Sequence, residues 1–79
     1  MKLNEAIAQR IKCLMKQRGL SGYALFKLTG IPQSTITTLL KCKVETVRLS
    51  TIYNLCSGLG IGFTKFFNCD YFKLENVTL

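Results

Sequence analysis

The segment that follows the single proline carries side chains that form hydrogen bonds but bear no charge until its last residue. It reads QSTITTLLK from Gln33 to Lys41. Amides and hydroxyls can both donate and accept hydrogen bonds. Serine and threonine also have a lower helix propensity than the residues that usually cover a helix surface. Their use here indicates a binding role for the segment rather than solubility alone.

The charge of the chain is distributed unevenly. The net formal charge is +7, yet no Asp or Glu occurs between Ala6 and Val44. The basic residues of this span are Arg10, Lys12, Lys16, Arg18, Lys27, Lys41 and Lys43. The other four basic residues are matched by the four acidic ones. A polyanion partner would explain this pattern, because Lys and Arg release condensed counterions from phosphates. Composition alone also allows a merely solvated basic face.

The sequence contains few residues that could support catalysis or metal binding. The chain has no histidine, and its four cysteines (Cys13, Cys42, Cys56 and Cys69) form no CxxC pair. A zinc site would need all four thiols from dispersed positions. The acidic residues are isolated, and no glycine-rich phosphate loop is present. We therefore expect no enzyme activity, no cofactor and no metal. Reduced thiols with an apolar role, Cys56 being buried, are typical of a cytoplasmic protein.

The length of 79 residues suits one compact domain. Residues 1–15 alternate polar and apolar positions, as an amphipathic helix does and a signal peptide does not. No stretch approaches the roughly twenty apolar residues of a membrane span. We expect a soluble protein without a membrane partner.

Hydrophobic periodicity and capping signals predict five short helices. Their expected ranges are about 5–17, 22–29 and 33–41, a fourth from Ser50 to about Ser57, and a short fifth starting at Gly62. Asn4, Ser21 and Ser50 are the expected N-caps. Pro32 is expected to open the third helix. The glycines expected to end helices are Gly19, Gly30, Gly58 and Gly60.

Apolar residues at helical spacing define the expected core, and Ile61 is expected to be a buried connector. The inward positions are Ile7, Ile11, Leu14, Ala24, Leu25, Leu28, Ile36, Leu39, Leu40, Ile52, Leu55, Cys56, Leu59, Phe63, Phe66 and Phe67. Residues 68–79 form a tail rich in apolar side chains, which should pack on this core or on a second subunit, as strand or helix. The sequence thus predicts an all-α domain over residues 1–67 and a short C-terminal tail.

Two short helices joined by a glycine-containing turn, the second with a polar outer face, make a helix-turn-helix. Six groups of residues resemble the lambda-repressor-like (XRE-type) family of bacterial and phage regulators. They are GLS at 19–21, AL at 24–25, TGIPQSTI at 29–36, KCK at 41–43, LGI at 59–61 and FF at 66–67. The resemblance covers about Arg10 to Phe67. It implies a compact five-helix domain that binds operator double-stranded DNA, commonly as a homodimer, and represses transcription.

The resemblance also implies which residues of the third helix meet the bases. It places Gln33, Ser34 and Thr38 at base edges in the major groove. Gln33 would be the strongest reader, since an amide can bond to adenine through two hydrogen bonds. Thr37 falls where the family turns toward the backbone or the groove wall.

Phosphate contacts are implied at both ends of the motif. Thr35 would lie near the phosphates, and Lys41 and Lys43 match backbone contacts of the family. At the start of the second helix, the N–H groups near Gly22 and Tyr23 would hold another phosphate.

Several positions depart from the family pattern. Gly22 stands where a glutamine is frequent, and Cys42 replaces a frequent glycine. Phe26 occupies a site usually held by alanine, so its ring must turn outward or the helix crossing must widen. Met15 and Leu40 replace an Arg–Glu pair together, which exchanges a semi-buried ion pair for an apolar contact. None of these changes removes the expected binding surface.

Two other functions deserve comparison with DNA binding. A membrane-bound amphipathic first helix would need an apolar face of its own, but that face is required for the core. A protein-interaction module on the same fold, such as an antitoxin-like or anti-repressor component, would be expected to carry aromatic anchors on its third helix. The small polar residues found there favour DNA.

Overall fold

Five α-helices and one 3-10 turn make up the computed structural model, which describes residues Met1–Leu79. We number the helices in chain order: α1 is Leu3–Arg18, α2 Gly22–Thr29, α3 Gln33–Leu40, α4 Leu49–Leu59 and α5 Phe63–Phe67. The 3-10 turn is Asp70–Phe72. The only β-type pairing is an isolated parallel bridge between Lys2 and Thr78. The predicted all-α fold is confirmed.

The start of α1 differs from the prediction. Lys2 stands at the N-cap, and its backbone N–H donates to the Glu5 carboxylate at 2.8 Å. Asn4 lies inside the helix, where its Nδ2 donates to the carbonyl of Val44 at 2.8 Å. The prediction of Asn4 as the N-cap is therefore wrong. Its amide instead holds the loop between α3 and α4 against α1.

The helix-turn-helix segment has the predicted bounds to within one residue. The N–H of Ala24 donates to the Ser21 hydroxyl at 3.1 Å, so Ser21 caps α2 as expected. Gly30 ends α2 with a φ of 74°, which glycine adopts without steric cost. Pro32, with a φ of −54° and a ψ of 143°, occupies the N-cap of α3. These local signals therefore determine the turn.

The helix α4 is longer than predicted at both ends. It begins at Leu49 with Arg48 at the N-cap, so Ser50 is not the cap. Gly60, with a φ of 69°, ends it as expected. Gly58 does not, because it lies inside the helix. A Cβ atom at Gly58 would lie only 2.6 Å from the carbonyl oxygen of Leu28. Glycine is needed there because the backbones of α2 and α4 approach closely.

One hydrophobic cluster joins all five helices. Its buried members are Ile7, Ile11, Leu14, Leu25, Ile31, Ile36, Ile52, Leu55, Cys56, Leu59 and Phe66. Leu28 and Phe63 were expected to face inward but are 49% and 42% exposed. Ala24, Leu40, Ile61 and Phe67 are only half-buried. The predicted core is otherwise confirmed, including Cys56 and Leu39.

Two arginines of α1 are used inside the fold. Arg10 donates from Nε to the carbonyl of Phe66 at 2.7 Å and from Nη2 to that of Lys65 at 2.8 Å. Arg18 donates from Nη1 to the carbonyl of Leu59. These carbonyls lie at the C-terminal ends of α5 and α4, where helical acceptors lack partners and the helix dipole favours a cation. The excess positive charge of α1 is thus partly structural and does not all point to a polyanion.

The tail returns along the domain to the start of the chain. Phe72 packs against the core, its ring 5.0 Å from that of Phe67. Farther on, the N–H of Leu3 donates to the carbonyl of Thr78 at 2.7 Å. In this structure the tail combines the 3-10 turn with one β-bridge and lies on the domain's own surface.

Candidate nucleic-acid interface

The helix α3 turns a row of polar side chains away from the core. Ile36 and Leu39 are buried, whereas Gln33, Ser34 and Thr37 are exposed. Residues three and four positions apart on a helix are neighbours on its surface, as Ser34 and Gln33 are of Thr37. The structure therefore brings these three predicted site residues together on one uncharged face.

Two further threonines border this face in different ways. Thr35 is exposed, while Thr38 is half-buried and donates from Oγ1 to the carbonyl of Ser34 at 2.8 Å. That bond uses the only hydroxyl hydrogen of Thr38, so a ligand meets its lone pairs or its methyl group. Beside them lies a cavity of about 220 Å³ lined by Ser34, Thr35, Thr38, Leu39 and Val44. Sequence reasoning could not reveal the internal bond of Thr38.

The end of α3 carries two lysines without a counter-charge. Lys41 is the C-cap residue, and the backbone N–H of Lys43 donates to the carbonyl of Thr38 at 3.1 Å. Both side chains are exposed. The one salt bridge of the protein joins Lys73 to Asp70 in the tail. The ammonium groups of Lys41 and Lys43 are therefore free to bind an anion.

The start of α2 offers backbone donors. The first N–H groups of a helix have no acceptor within it. Ser21 satisfies that of Ala24, which leaves those of Gly22 and Tyr23. Tyr23 is exposed, and the ammonium of Lys27 lies 5.9 Å from the centre of its ring. Free donors at a helix N-terminus beside a lysine can hold a phosphate.

A comparison with protein families explains this arrangement. A family model described as the Cro/C1-type HTH DNA-binding domain matches residues 10–70, which is most of the chain. The chain belongs to this family. No curated protein and no solved structure gives a significant match. The resemblance predicted from residues 10–67 is confirmed, and the protein contains a DNA-binding domain of the Cro/C1 type.

The departures of this Cro/C1-type domain from the family pattern are accommodated without disturbing α3. Phe26 is half-buried and packs at the margin of the core, its ring 6.1 Å from that of Tyr23. Met15 and Leu40 also pack against the core, as expected for an apolar replacement of an ion pair. At Gly22 a Cβ atom would meet no atom within 4 Å, so a side chain would fit there.

Cys42 is the one departure that strains the backbone. Its φ of 56° is the only positive φ at a residue other than glycine. A Cβ atom in this left-handed region costs about 1–2 kcal/mol. The frequent glycine of the family at this position therefore has a conformational reason.

We expect Cys42→Gly to be more stable than Cys42→Ala by about 1 kcal/mol, because only the alanine keeps the strained Cβ. Both variants lack the thiol, so their difference isolates the backbone effect. Urea unfolding followed by circular dichroism measures it. An alanine variant as stable as the glycine variant would contradict the strain.

The two titratable groups whose pKa values are shifted, Cys56 and Tyr71, lie outside the helix-turn-helix. Burial raises the pKa of the Cys56 thiol. The pKa of the Tyr71 phenol is raised chiefly by its hydrogen bond with Cys13, whose sulfur lies 3.7 Å away.

No three Cys, Asp or Glu side chains come together in a way that could hold a metal ion. None of the helices has both the length and the apolar character to cross a bilayer.

Proposed function

We propose that this domain is a transcriptional repressor that binds double-stranded DNA sequence-specifically, with α3 in the major groove, and acts in the cytoplasm. The observation that supports this proposal is the uncharged polar row of α3, which ends at lysines without counter-charges. A major groove is about 12 Å wide and admits one helix. It lies between two rows of phosphates, so a face without carboxylates avoids repulsion there.

Base reading is assigned to three side chains of α3. Gln33 is exposed at the first position of the helix. Its side-chain amide can donate a hydrogen bond to N7 of adenine and accept one from the N6 amino group of the same base. Ser34 offers an exposed hydroxyl beside it. Thr38 acts as an acceptor or through its methyl group, because its hydrogen is already donated to Ser34. Thr37 would face the DNA backbone or the groove wall.

Phosphate binding is assigned to the flanks of this row. Lys41, Lys43 and Thr35 would contact one strand near α3, and the N–H groups of Gly22 and Tyr23 would contact another phosphate. Such contacts set the orientation of the domain without reading sequence.

The proposed repressor works as a homodimer. Helix-turn-helix dimers read half-sites about one DNA turn, or 34 Å, apart. The Cα atoms of one domain extend over 34 × 24 × 21 Å. Two copies on consecutive turns of one DNA face would therefore be neighbours.

The test begins with selection of bound duplexes from random DNA. With the selected duplex, Gln33→Ala is expected to weaken binding by about 1–3 kcal/mol and to relax the preference at one base pair. Gln9→Ala, which removes an exposed amide from α1, serves as the matched control and should leave binding unchanged. Titration by fluorescence anisotropy measures both.

Lys43→Ala is expected to behave differently, because a phosphate contact carries no sequence information. It should weaken binding to all duplexes alike and lower the slope of log affinity against log salt by about one. Lys73→Ala is the control, since that lysine already pairs with Asp70. If neither Gln33→Ala nor Lys43→Ala changed any affinity, α3 would not be the groove helix.

A further inference from the structure

The cavity beside the polar row of α3 has an apolar side that the assigned DNA contacts leave unused. Its volume is about 220 Å³, and four of its lining residues belong to α3 and one to the loop 41–48. Ser34 and Thr35 are exposed, whereas Thr38 and Val44 are half-buried and Leu39 is buried. We call the last three residues the Val44 pocket. Neither Leu39 nor Val44 has a part in the base and phosphate contacts assigned above.

The loop between α3 and α4 contains two valines with different surroundings. Val47 packs against the hydrophobic cluster, but Val44 belongs neither to that cluster nor to the residues packed against it. Val44 instead lines the cavity next to the polar face of α3. Ligand sites combine apolar walls of this kind with a few polar groups. The side chain of Val44 is therefore available to an apolar group of a ligand bound along α3.

The backbone around the Val44 pocket is held on two sides. The carbonyl of Val44 accepts from Asn4 Nδ2 at 2.8 Å, which ties the loop to α1. The N–H groups of Cys42 and Lys43 each donate to carbonyls at the end of α3, those of Leu39 and Thr38, at 3.1 Å. The pocket is therefore formed before a ligand arrives, and little ordering is needed when a small group enters it.

The hydrogen bonding of Thr38 limits what the Val44 pocket can bind. Its hydroxyl hydrogen is donated to the carbonyl of Ser34, so Thr38 cannot donate to O4 of thymine or to O6 and N7 of guanine. Leu39 and Val44 offer only aliphatic surface. Among the base edges of the major groove, the one apolar group is the methyl on C5 of thymine. A cytosine methylated at C5 carries the same group at the same position.

We propose that the Val44 pocket binds the C5-methyl group of a pyrimidine in the major groove, and that Val44 is a specificity-determining residue. This inference rests on the proposed function, which it deepens. The domain then distinguishes a pyrimidine with this methyl group from one without it. Thymine and 5-methylcytosine are the two sources of the group, so cytosine methylation at this position of an operator strengthens binding.

The surroundings of the pocket agree with a place at the edge of the groove. Ser34, a proposed base reader, lines one side of the cavity, and Thr35, proposed to lie near the phosphates, lines it as well. Lys43 directly precedes Val44 in the chain and has no counter-charge. A base edge that enters the cavity would thus lie between a base-reading side chain and side chains that bind its own phosphate backbone.

The first test uses the duplex selected from random DNA and the unmodified full chain. Each thymine of the duplex is replaced in turn by deoxyuridine, which lacks only the methyl group, and the affinity is measured by fluorescence anisotropy. At the position that meets the pocket, binding should weaken about fourfold, the effect of losing one buried methyl group. At the same position, a duplex with 5-methylcytosine should bind about fourfold more tightly than one with cytosine.

Two double variants then assign this effect to the pocket. Thr38→Ser/Val44→Ala removes methyl groups from the pocket but keeps the hydroxyl that bonds to Ser34. Thr46→Ser/Val77→Ala removes the same atoms from positions that do not line the cavity, and it is the matched control. Circular dichroism establishes that both fold, and Val44→Ala alone replaces the first variant if it does not. Both methyl effects should fall to about one in the pocket variant and stay at about fourfold in the control.

Three results would overturn the proposal. They are methyl effects of equal size in the pocket variant and the full chain, a full chain indifferent to every methyl group, and an effect for thymine without one for 5-methylcytosine. Each of these leaves the expected losses of affinity in Gln33→Ala and Lys43→Ala intact. Failure of the DNA assignment is recognised separately, because those two substitutions would then change nothing.

Discussion

Replacing Phe66 with alanine is expected to destabilise the domain by about 3–5 kcal/mol. The side chain is fully buried, and its ring lies edge-on to that of Phe67 with centroids 4.9 Å apart. It also lies 6.2 Å from the ring of Phe72, so it joins α5 to the tail. Small domains have a free energy of unfolding of about 5–15 kcal/mol. Urea unfolding followed by circular dichroism should show a midpoint shifted strongly downward.

Phe63→Ala is the matched control, because it removes the same side chain from the same helix at a position that is 42% exposed. We expect a cost of at most about 1 kcal/mol, as is usual for surface positions. Equal destabilisation by the two substitutions would mean that the burial of Phe66 does not account for its contribution to stability.

The helix-turn-helix could be predicted because its signals are local. Ser21 is placed by its side chain to cap the N–H three residues later, and Gly30 and Pro32 fix the backbone of the turn. Each of these effects depends on neighbours within a few residues. The bounds of α2 and α3 therefore follow from sequence to within one residue.

The failures concern contacts between residues far apart in the chain. Asn4 is of a residue type that often caps helices, but its side-chain amide donates instead to the carbonyl of Val44, 40 residues away. Arg10 looks like part of a basic surface, yet it bonds to carbonyls of α5. Neither partner can be found without the fold, since hydrogen-bond capacity alone does not say which group will come near.

The candidate site was predictable in composition and less so in detail. Exposure of Gln33, Ser34 and Thr37 follows from the apolar positions at Ile36 and Leu39, because those two residues determine which side of α3 faces the core. The hydrogen bond from the Thr38 hydroxyl to the carbonyl of Ser34 does not follow from the sequence, because it is one of several that a threonine can make in a helix. The roles assigned to these residues on DNA remain predictions.

The close approach of α2 and α4 at Gly58 could not be predicted, because a glycine near a helix end usually terminates the helix. Two glycines flank Leu59, and only Gly60 has the positive φ of a helix terminator. Gly58 is helical and is placed where a Cβ atom would lie 2.7 Å from Thr29 Cγ2 and 2.9 Å from Thr29 Cα. Its role is steric, and it concerns the end of α2 that leads into the turn.

We therefore expect Gly58→Val to destabilise the domain by about 3 kcal/mol or more, beyond the usual cost of overpacking a core. Thermal and urea unfolding measure this loss. Ser57→Val places the same side chain at the adjacent exposed position of α4 and controls for helix propensity, since serine and valine differ little in that respect. It should change stability by no more than about 0.5 kcal/mol.

The cause of this destabilisation can be tested further at Thr29. Gly58→Val/Thr29→Ser removes Cγ2 but keeps the hydroxyl that donates to the carbonyl of Leu25 at 2.8 Å. We expect little recovery of stability, because the Leu28 carbonyl oxygen, 2.6 Å from the added Cβ, and Thr29 Cα are backbone atoms that cannot rotate away. Full recovery in the double variant would show that the obstacle is the methyl group of Thr29. Stability that stays low would instead confirm that glycine lets the backbones of α2 and α4 meet, and so fixes the end of α2 from which the turn to α3 begins.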